Sequence, residues 1–381
     1  MDINIAAQLN AVCRVFKIEG DFIDYEIITI GNINNTYKVV YRGDDGSQNL
    51  YILQKINTYV FKDPKQIMSN VGLVTTHIKN KRTGKPSLHF HHTVNRDNYY
   101  FDNGYWRLCN YIDSVTYDIC NDPRILYCVG HAFGEFQMQL SDFDASGLYE
   151  TIPDFHNTKK RLNKLFTDIE TDEYGHAASV RPEIDYIRSV CDTACILSDM
   201  AERGEIPLRV THNDTKTNNV LFDRNTREPL AVIDLDTVMP GLAMHDFGDA
   251  IRSAANTAAE DEKDLSKVSL DLDLFRAFAE GYISQTAGSL SDNEINTMAL
   301  GALTITIELA SRFLDDYLTG DKYFKVNYEG HNVDRTRCQL KLAQDMQNKF
   351  AEMNAIIKEI TNRTKENTVY FINFAEKKNT R

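Results

Sequence analysis

The chain has 381 residues, 42% hydrophobic and 25% charged, with a net charge of −13. At about 100–200 residues per domain, that length suggests two domains or one large two-lobed one, with core enough to do without disulfides or structural metal. The acidic balance excludes a general phosphate-backbone binder, which concentrates basic charge, but leaves room for a local basic pocket.

The opening stretch, MDINIAAQLNAVCRVFKIEG, carries Asp2 and no apolar run of signal-peptide length. Within it Ala6, Leu9, Val12, Cys13 and Phe16 recur at helical spacing. Strands follow at Ile23–Ile30, Thr36–Tyr41 and Leu50–Ile56, rich in β-branched and aromatic residues, with Gly43-Asp44-Asp45-Gly46 as a turn. Asp63-Pro64 predicts the N-cap and first turn of a helix running to about Lys79. Two short strands, Asn98–Phe101 and Tyr105–Cys109, flank the Asp102-Asn103-Gly104 turn.

From about Asn121 the period changes to helical, beginning with Val129, Phe133, Phe136 and Leu140. Further helices are predicted over Glu183–Arg203, Leu272–Ser284 and Met298–Leu318, the last preceded by the capping box Ser291-Asp292-Asn293-Glu294. A long final helix is expected over Arg335–Ile360, then a polar tail. Only Leu208–Thr211, Val220–Phe222 and Ala231–Ile233 read as strands in this half. The expected fold is α+β: a sheet-rich N-lobe (1–109), a hinge (110–114) and a mainly helical C-lobe (115–381). Ile295–Ile307, the longest uncharged apolar-rich stretch, is too short to span a bilayer. Seven cysteines without a Cys-x-x-Cys pair point to reduced thiols. A cytoplasmic protein without membrane or nucleic-acid partners is expected.

The chemistry concentrates in VTHNDTKTNNVLFD (210–223) and AVIDLD (231–236). Phosphoryl transfer needs a carboxylate to take the acceptor's proton, hard oxygen ligands for Mg²⁺ and a cation on the moving phosphate. Asp214 fits the base, Lys216 the cation facing the γ-phosphate, and Asn219 and Asp234 the metal ligands, with Asp236 joining or steadying that shell. Asn219 is preferred to Asn218 for its offset from Asp214. Gly31 to Tyr37, with small polar residues between two strands, suits either backbone amides presented to phosphates or an ordinary hairpin turn.

These motifs resemble the eukaryotic-like small-molecule kinases, among them aminoglycoside phosphotransferases and choline kinases, and so imply a bilobal protein-kinase-like fold using ATP and Mg²⁺. THNDTKTNNVLFD, VIDLDTVMPG, DFGDAIR, EDEKDLSKV and SRFLDDYLTGDKYF together are similar to the N-acetylhexosamine 1-kinases, over essentially the whole chain and most densely from 205 to 345. The resemblance implies transfer from ATP to the anomeric hydroxyl of GlcNAc or GalNAc. It assigns His212 to bracing the loop, and Arg312, Tyr323 and Asn32 to the sugar. For Arg312 the alternative is an ion pair with Asp315 or Asp316; for Tyr323 it is core or rim packing. The nucleotide would meet Gly31, Asn34, Thr36, Gln54 and the hinge residues Asn110 and Ile112.

There are departures from the general kinase pattern. Gln54 stands where kinases carry a third-strand lysine, as it does in the N-acetylhexosamine 1-kinases, while Lys55 should face away from the nucleotide. No helix glutamate stands near Asn70–Gly72 to complete a Lys–Glu pair. Asn32 replaces a histidine and Ser253 an aromatic of the related kinases, which bears on the sugar accepted. His89-Phe90-His91-His92 lacks a ligand partner at metal spacing and reads as an exposed strand or loop. Asp246 and Asp249 of Asp246-Phe247-Gly248-Asp249 read as structural, and Glu260–Asp264 as a solvated helix start with a lid role open. Rival acceptors within the fold are another hexose, homoserine, choline or methylthioribose. A catalytically dead nucleotide-binding regulator is the rival outside it.

Overall fold

The computed structural model describes residues 3–29, 33–81, 86–118 and 120–379. The chain divides into two compact units: residues 1–115, 146–152 and 221–239 in one, residues 116–145, 153–220 and 240–381 in the other. Residues 221–239, beyond the expected hinge, thus cluster with the sheet.

The first unit opens with α1 (Ile3–Cys13) and a meander of β1 (Asp21–Ile28), β2 (Asn35–Arg42) and β3 (Gln48–Ile56). Then come α2 (Pro64–Lys81), β4 (Tyr100–Phe101) and β5 (Tyr105–Asn110), giving an antiparallel sheet of order β1-β2-β3-β5-β4. Alternation sorts its side chains. Val39, Tyr41, Leu53, Trp106 and Leu108 face Leu9, Val12 and Cys13 of α1 in one buried cluster. Thr36, Gln54 and Arg107 sit in consecutive register on the other face. Lys55 pairs with Trp106 in register and lies 5.4 Å from its ring, on the α1 side, as alternation requires. The predicted Asp63 cap is present, accepting from the Lys65 and Gln66 amides.

The second unit is helical: α3 (Pro123–Gln139), α4 (Thr158–Thr171), α5 (Arg181–Glu202), then β6 (Arg209–Thr211) leading into the loop at 212–219. β7 (Val220–Phe222) and β8 (Pro229–Val232), which from residue 221 on belong to the sheet unit, form a ribbon. Next come α6 (Ala243–Ala254), α7 (Leu272–Thr286), α8 (Asp292–Asn296), α9 (Met298–Leu318), α10 (His331–Asn348) and α11 (Phe350–Asn379). The capping box forms, but it opens the short α8, and α9 starts afresh after Thr297. The long final helix is broken at Lys349, whose ammonium bonds Asp345 (2.7 Å), Ser269 and the Leu270 carbonyl. Residues 260–264 open only a single 3-10 turn, Leu265–Lys267, capped by Asp264, and they are less solvated than expected: Glu260 pairs with Arg252, Asp261 with His331 and Lys263 with Asp334. α4, unforeseen, has few apolar residues but is capped by Asn157.

Helix α6 crosses α9 at Gly248 and Gly301. A Cβ on Gly248 would stand 2.4 Å from the Gly301 carbonyl oxygen, so the close approach requires glycine. The seven thiols are free, and among the described residues no helix is long and apolar enough to cross a membrane.

Candidate active site

In the helical unit, the loop after β6 is held from behind by α6. Asp246 accepts hydrogen bonds from the His212 and Asn213 amides, both at 2.7 Å. The Thr215 hydroxyl donates to the Asp246 carbonyl at 2.6 Å, and its amide donates to the Asp249 carboxylate at 2.9 Å. Arg252 pairs with Asp249 at 2.8 Å. Asp246 and Asp249 therefore have the structural setting expected of them. Burial pushes the Asp246 carboxyl up to about 6, although the two amides and His212 oppose it. Burial acts on Asp249 too, but Arg252 and Lys216 hold it below its ordinary value.

His212 is fully buried, its ring edge-on to Phe133 and Phe136. Its Nδ1 accepts from the Asp214 amide at 3.3 Å, so it braces the loop rather than facing solvent. Asn213 takes a left-handed backbone (φ 63°) that turns the chain before Asp214. The Asp214 carboxylate is partly exposed, with the Lys216 ammonium 2.8 Å away. That carboxylate is the first cause holding Lys216 above its ordinary pKa. Asn219 donates to the Asp214 carbonyl (2.8 Å) and carboxylate (3.2 Å). Its NH₂ thus points inward, leaving the amide oxygen, a hard neutral donor, for a cation. Asn218 donates instead to Asp118 at 2.9 Å. Asp214, Lys216 and Asn219 are therefore one contiguous group.

Asp234 and Asp236 belong to the sheet unit. Asp234 is left-handed (φ 59°) with an exposed side chain, a carboxylate chemically suited to a hard cation. Asp236 is 2% exposed and cannot join a metal shell. Its two oxygens receive Arg107, through Nη1 and through Nη2 at 3.0 Å, and Oδ2 also accepts from Asn34 at 2.7 Å. Arg107 Nε donates to Gln54 Oε1 at 2.9 Å, and Gln54 Nε2 to the Thr36 hydroxyl at 3.1 Å. Burial works against the Arg107 charge, but Asp236 and then Asp234 hold it above its ordinary value. Asn70 of α2, near the place of the missing helix glutamate, donates to the Val238 carbonyl at 2.9 Å and exchanges hydrogen bonds with the Tyr149 backbone.

Of the expected nucleotide contacts, Asn34, Thr36 and Gln54 are thus joined in this network, and Asn34 also accepts from the Asn57 amide. Gly31 and Asn32 lie outside the described residues. The Asn110 side chain bonds the backbone of Ser87 and His89, and Ile112 is buried, with its carbonyl accepting from Ser114. His89-Phe90-His91-His92 is not an exposed segment throughout: Phe90 is buried and bridges Cys109, and the His91 amide bonds Leu108. Burial lowers His91 to about 4. No group of three metal-ligating His, Cys, Asp or Glu exists among the described residues. Arg107 was missed in the sequence; its signal is a cation at the sheet position opposite Gln54, inside an otherwise apolar strand.

Arg312 and Tyr323 meet in the helical unit. The guanidinium lies 5.2, 5.7 and 5.5 Å from the rings of Phe155, Tyr323 and Phe324, and Nη2 is 3.5 Å from the Tyr323 hydroxyl. The alternative ion pairs do not form: Asp315 holds Lys164, while Asp316 accepts from the backbone amides of Lys322, Tyr323 and Phe324. Tyr323 is 59% exposed, so it is not a core residue. Arg161, also missed, has a buried Nε with no hydrogen-bond partner among the described residues; burial and then Arg312 lower its pKa. Ser253 is exposed and bonds the Ala250 carbonyl.

A five-stranded antiparallel sheet in one unit and a helical unit carrying an acidic loop define the protein-kinase-like phosphotransferase fold. Residues 25–280 match the phosphotransferase enzyme family, and the chain belongs to it. Solved structures of the same fold include a microcompartment-associated aminopropanol kinase (12% identity, TM-score 0.59, covering 93% of this chain and 99% of that one). A choline kinase from Cryptosporidium parvum Iowa II matches at 14% identity and TM-score 0.54 (93% and 99%). A spectinomycin phosphotransferase in complex with ADP and spectinomycin matches at 12% and 0.51 (94% and 98%). At such identities the likeness carries the fold alone.

Proposed function

We propose that the protein phosphorylates the anomeric hydroxyl of an N-acetylhexosamine, GlcNAc or GalNAc, at the expense of ATP. Asp214 accepts the C1 hydroxyl proton as that oxygen bonds the γ-phosphorus; the bond from the γ-phosphorus to the β–γ bridging oxygen breaks, and ADP leaves with the electron pair. The anomeric hydroxyl is more acidic than an ordinary sugar alcohol, so a carboxylate suffices as base. Lys216, held charged beside Asp214, offsets the negative charge of the transferred group. Asn219 and Asp234 are the residues that would hold Mg²⁺, which supplies charge neutralisation on the phosphates when bound. Backbone amides near Gly31 and Asn34, with the Asn110–Ile112 segment, would receive the nucleotide.

The observation that carries the acceptor class is Arg312. Its guanidinium has no carboxylate partner among the described residues and lies against exposed Tyr323, leaving donors for a neutral, oxygen-rich ligand. Choline is disfavoured by the same geometry. The three rings able to cage a quaternary ammonium already surround the Arg312 cation, which would repel it. The test is an acceptor screen with γ-labelled ATP across GlcNAc, GalNAc, unacetylated hexoses, homoserine, choline and methylthioribose. The expected product is an alkali-stable, acid-labile sugar 1-phosphate from the N-acetylhexosamines; a preference for any other acceptor class sinks the assignment.

A further inference from the structure

The sheet unit has a gap, because Gln54 stands where an orthodox kinase carries its phosphate-binding lysine. Resting on the phosphotransfer role of Asp234, we propose that Arg107 fills this gap as a positioning residue, fixing the Asp234–Val238 strap from β5 instead of touching the nucleotide from β3.

Donor accounting supports an indirect role. A guanidinium has five N–H bonds. In Arg107, Nε goes to Gln54, Nη1 and Nη2 go to Asp236, and Nη1 also lies 3.9 Å from the Met68 sulfur. The side chain is 3% exposed, too enclosed to reach out to a phosphate. What it does reach is the residue two places beyond Asp234. The strap is gripped at further points: Asn34 on the Asp236 carboxylate, Thr151 on the Asp236 carbonyl at 3.3 Å, and Asn70 on the Val238 carbonyl. Asp234 needs that grip. A non-glycine residue at φ 59° is costly and persists only where its surroundings over-determine it. With Asp236 buried and locked, the backbone reverses so that the Asp234 carboxylate is left exposed. The arginine also ties the strap to the sheet. Gln54 bonds Thr36, so the start of β2 and the Asp234 strap share one buried cation.

A Lys–Glu pair would connect β3 to a helix. Here Arg107–Asp236 connects β5 to the strap, while Asn70 connects α2 to the same strap. Gln54 is then a relay that orients the guanidinium, which explains why a neutral residue is tolerated at that place.

The experiment compares wild type, Arg107→Lys, and the doubly neutral Arg107→Met/Asp236→Leu, since Arg107→Met alone strands a buried carboxylate. Thermal melting reports folding. Calorimetric titration with ADP, with and without Mg²⁺, and kcat and KM for ATP and acceptor report the site. The double variant is expected to fold and to keep metal-free ADP affinity and acceptor KM, while Mg²⁺-dependent ADP affinity and kcat fall about 10–100-fold. Arg107→Lys should recover part of that loss. A folded double variant with wild-type Mg²⁺-dependent affinity and kcat would overturn the positioning role alone. Absence of ADP binding by the wild type would overturn it together with the phosphotransfer reading. If the double variant fails to fold, Arg107→Lys decides: wild-type metal dependence in that variant overturns the proposal, and a selective loss of it supports the proposal.

Discussion

The loop at 212–219 and the strap at 234–238 present the same problem, and the two units solve it oppositely. Each places a carboxylate beside a left-handed non-glycine turn, Asn213 at φ 63° before Asp214 and Asp234 itself at φ 59°. In the helical unit, buried acids on α6 accept backbone amides, so the load is spread over His212, Asn213 and Thr215. In the sheet unit, a buried base holds a buried acid, and much of the strap's geometry passes through Arg107 and Asp236. Backbone bracing is local and redundant; a side-chain ion pair concentrates the same task in two residues. The loop should therefore tolerate changes behind it better than the strap does.

The largest effect separates chemistry from bracing. Asp214→Asn is expected to lower kcat by about 10³-fold or more, with melting temperature and nucleotide affinity near wild type. Retained turnover would remove Asp214 as base and collapse the distinction between the two carboxylates. A smaller effect concerns the strap. Asn70→Ala deletes hydrogen bonds to the Val238 and Tyr149 backbone and should cost about 1–3 kcal/mol in denaturant unfolding, with the KM for ATP rising more than the acceptor KM. Equal rises in both would show that α2 does not act through the strap.

The smallest expected effect is a pH dependence belonging to the loop. The folded Asp246 carboxyl, at about 6, lies above its ordinary 3.8. Its contribution to stability is therefore fully present below about pH 4 and is lost as pH rises through about 6. Asp246→Asn removes that titration, so the melting temperature of the variant minus that of the wild type should climb between these values and then level off. A flat difference would mean that the amides, and not burial, dominate this carboxylate.

Much of this was legible from spacing. Strand alternation placed Gln54 and Lys55 on opposite faces, and the offset from Asp214 chose Asn219 over Asn218, which the structure gives to Asp118. The start of α9 at Met298 was legible, but the break after α10 was not. It lies in a continuous helical pattern and coincides with a contact to a distant segment, Lys349 on Ser269 and Leu270. The status of Arg312 was open for the same reason. Asp315 and Asp316 lie at helical reach, but Lys164 and the Lys322–Phe324 amides claim them first.

The sequence by itself determined most of the elements, the acidic loop and its likeness to a phosphotransferase, because these rest on period, turn chemistry and the spacing of residues close in the chain. Only the tertiary structure decided which charges are buried together. Arg107 and Asp236 are 129 residues apart, and Asp246 meets His212 from 34 away. No local pattern reports such a pairing, because its energy depends on desolvation, and desolvation exists only once the chain has closed around both partners.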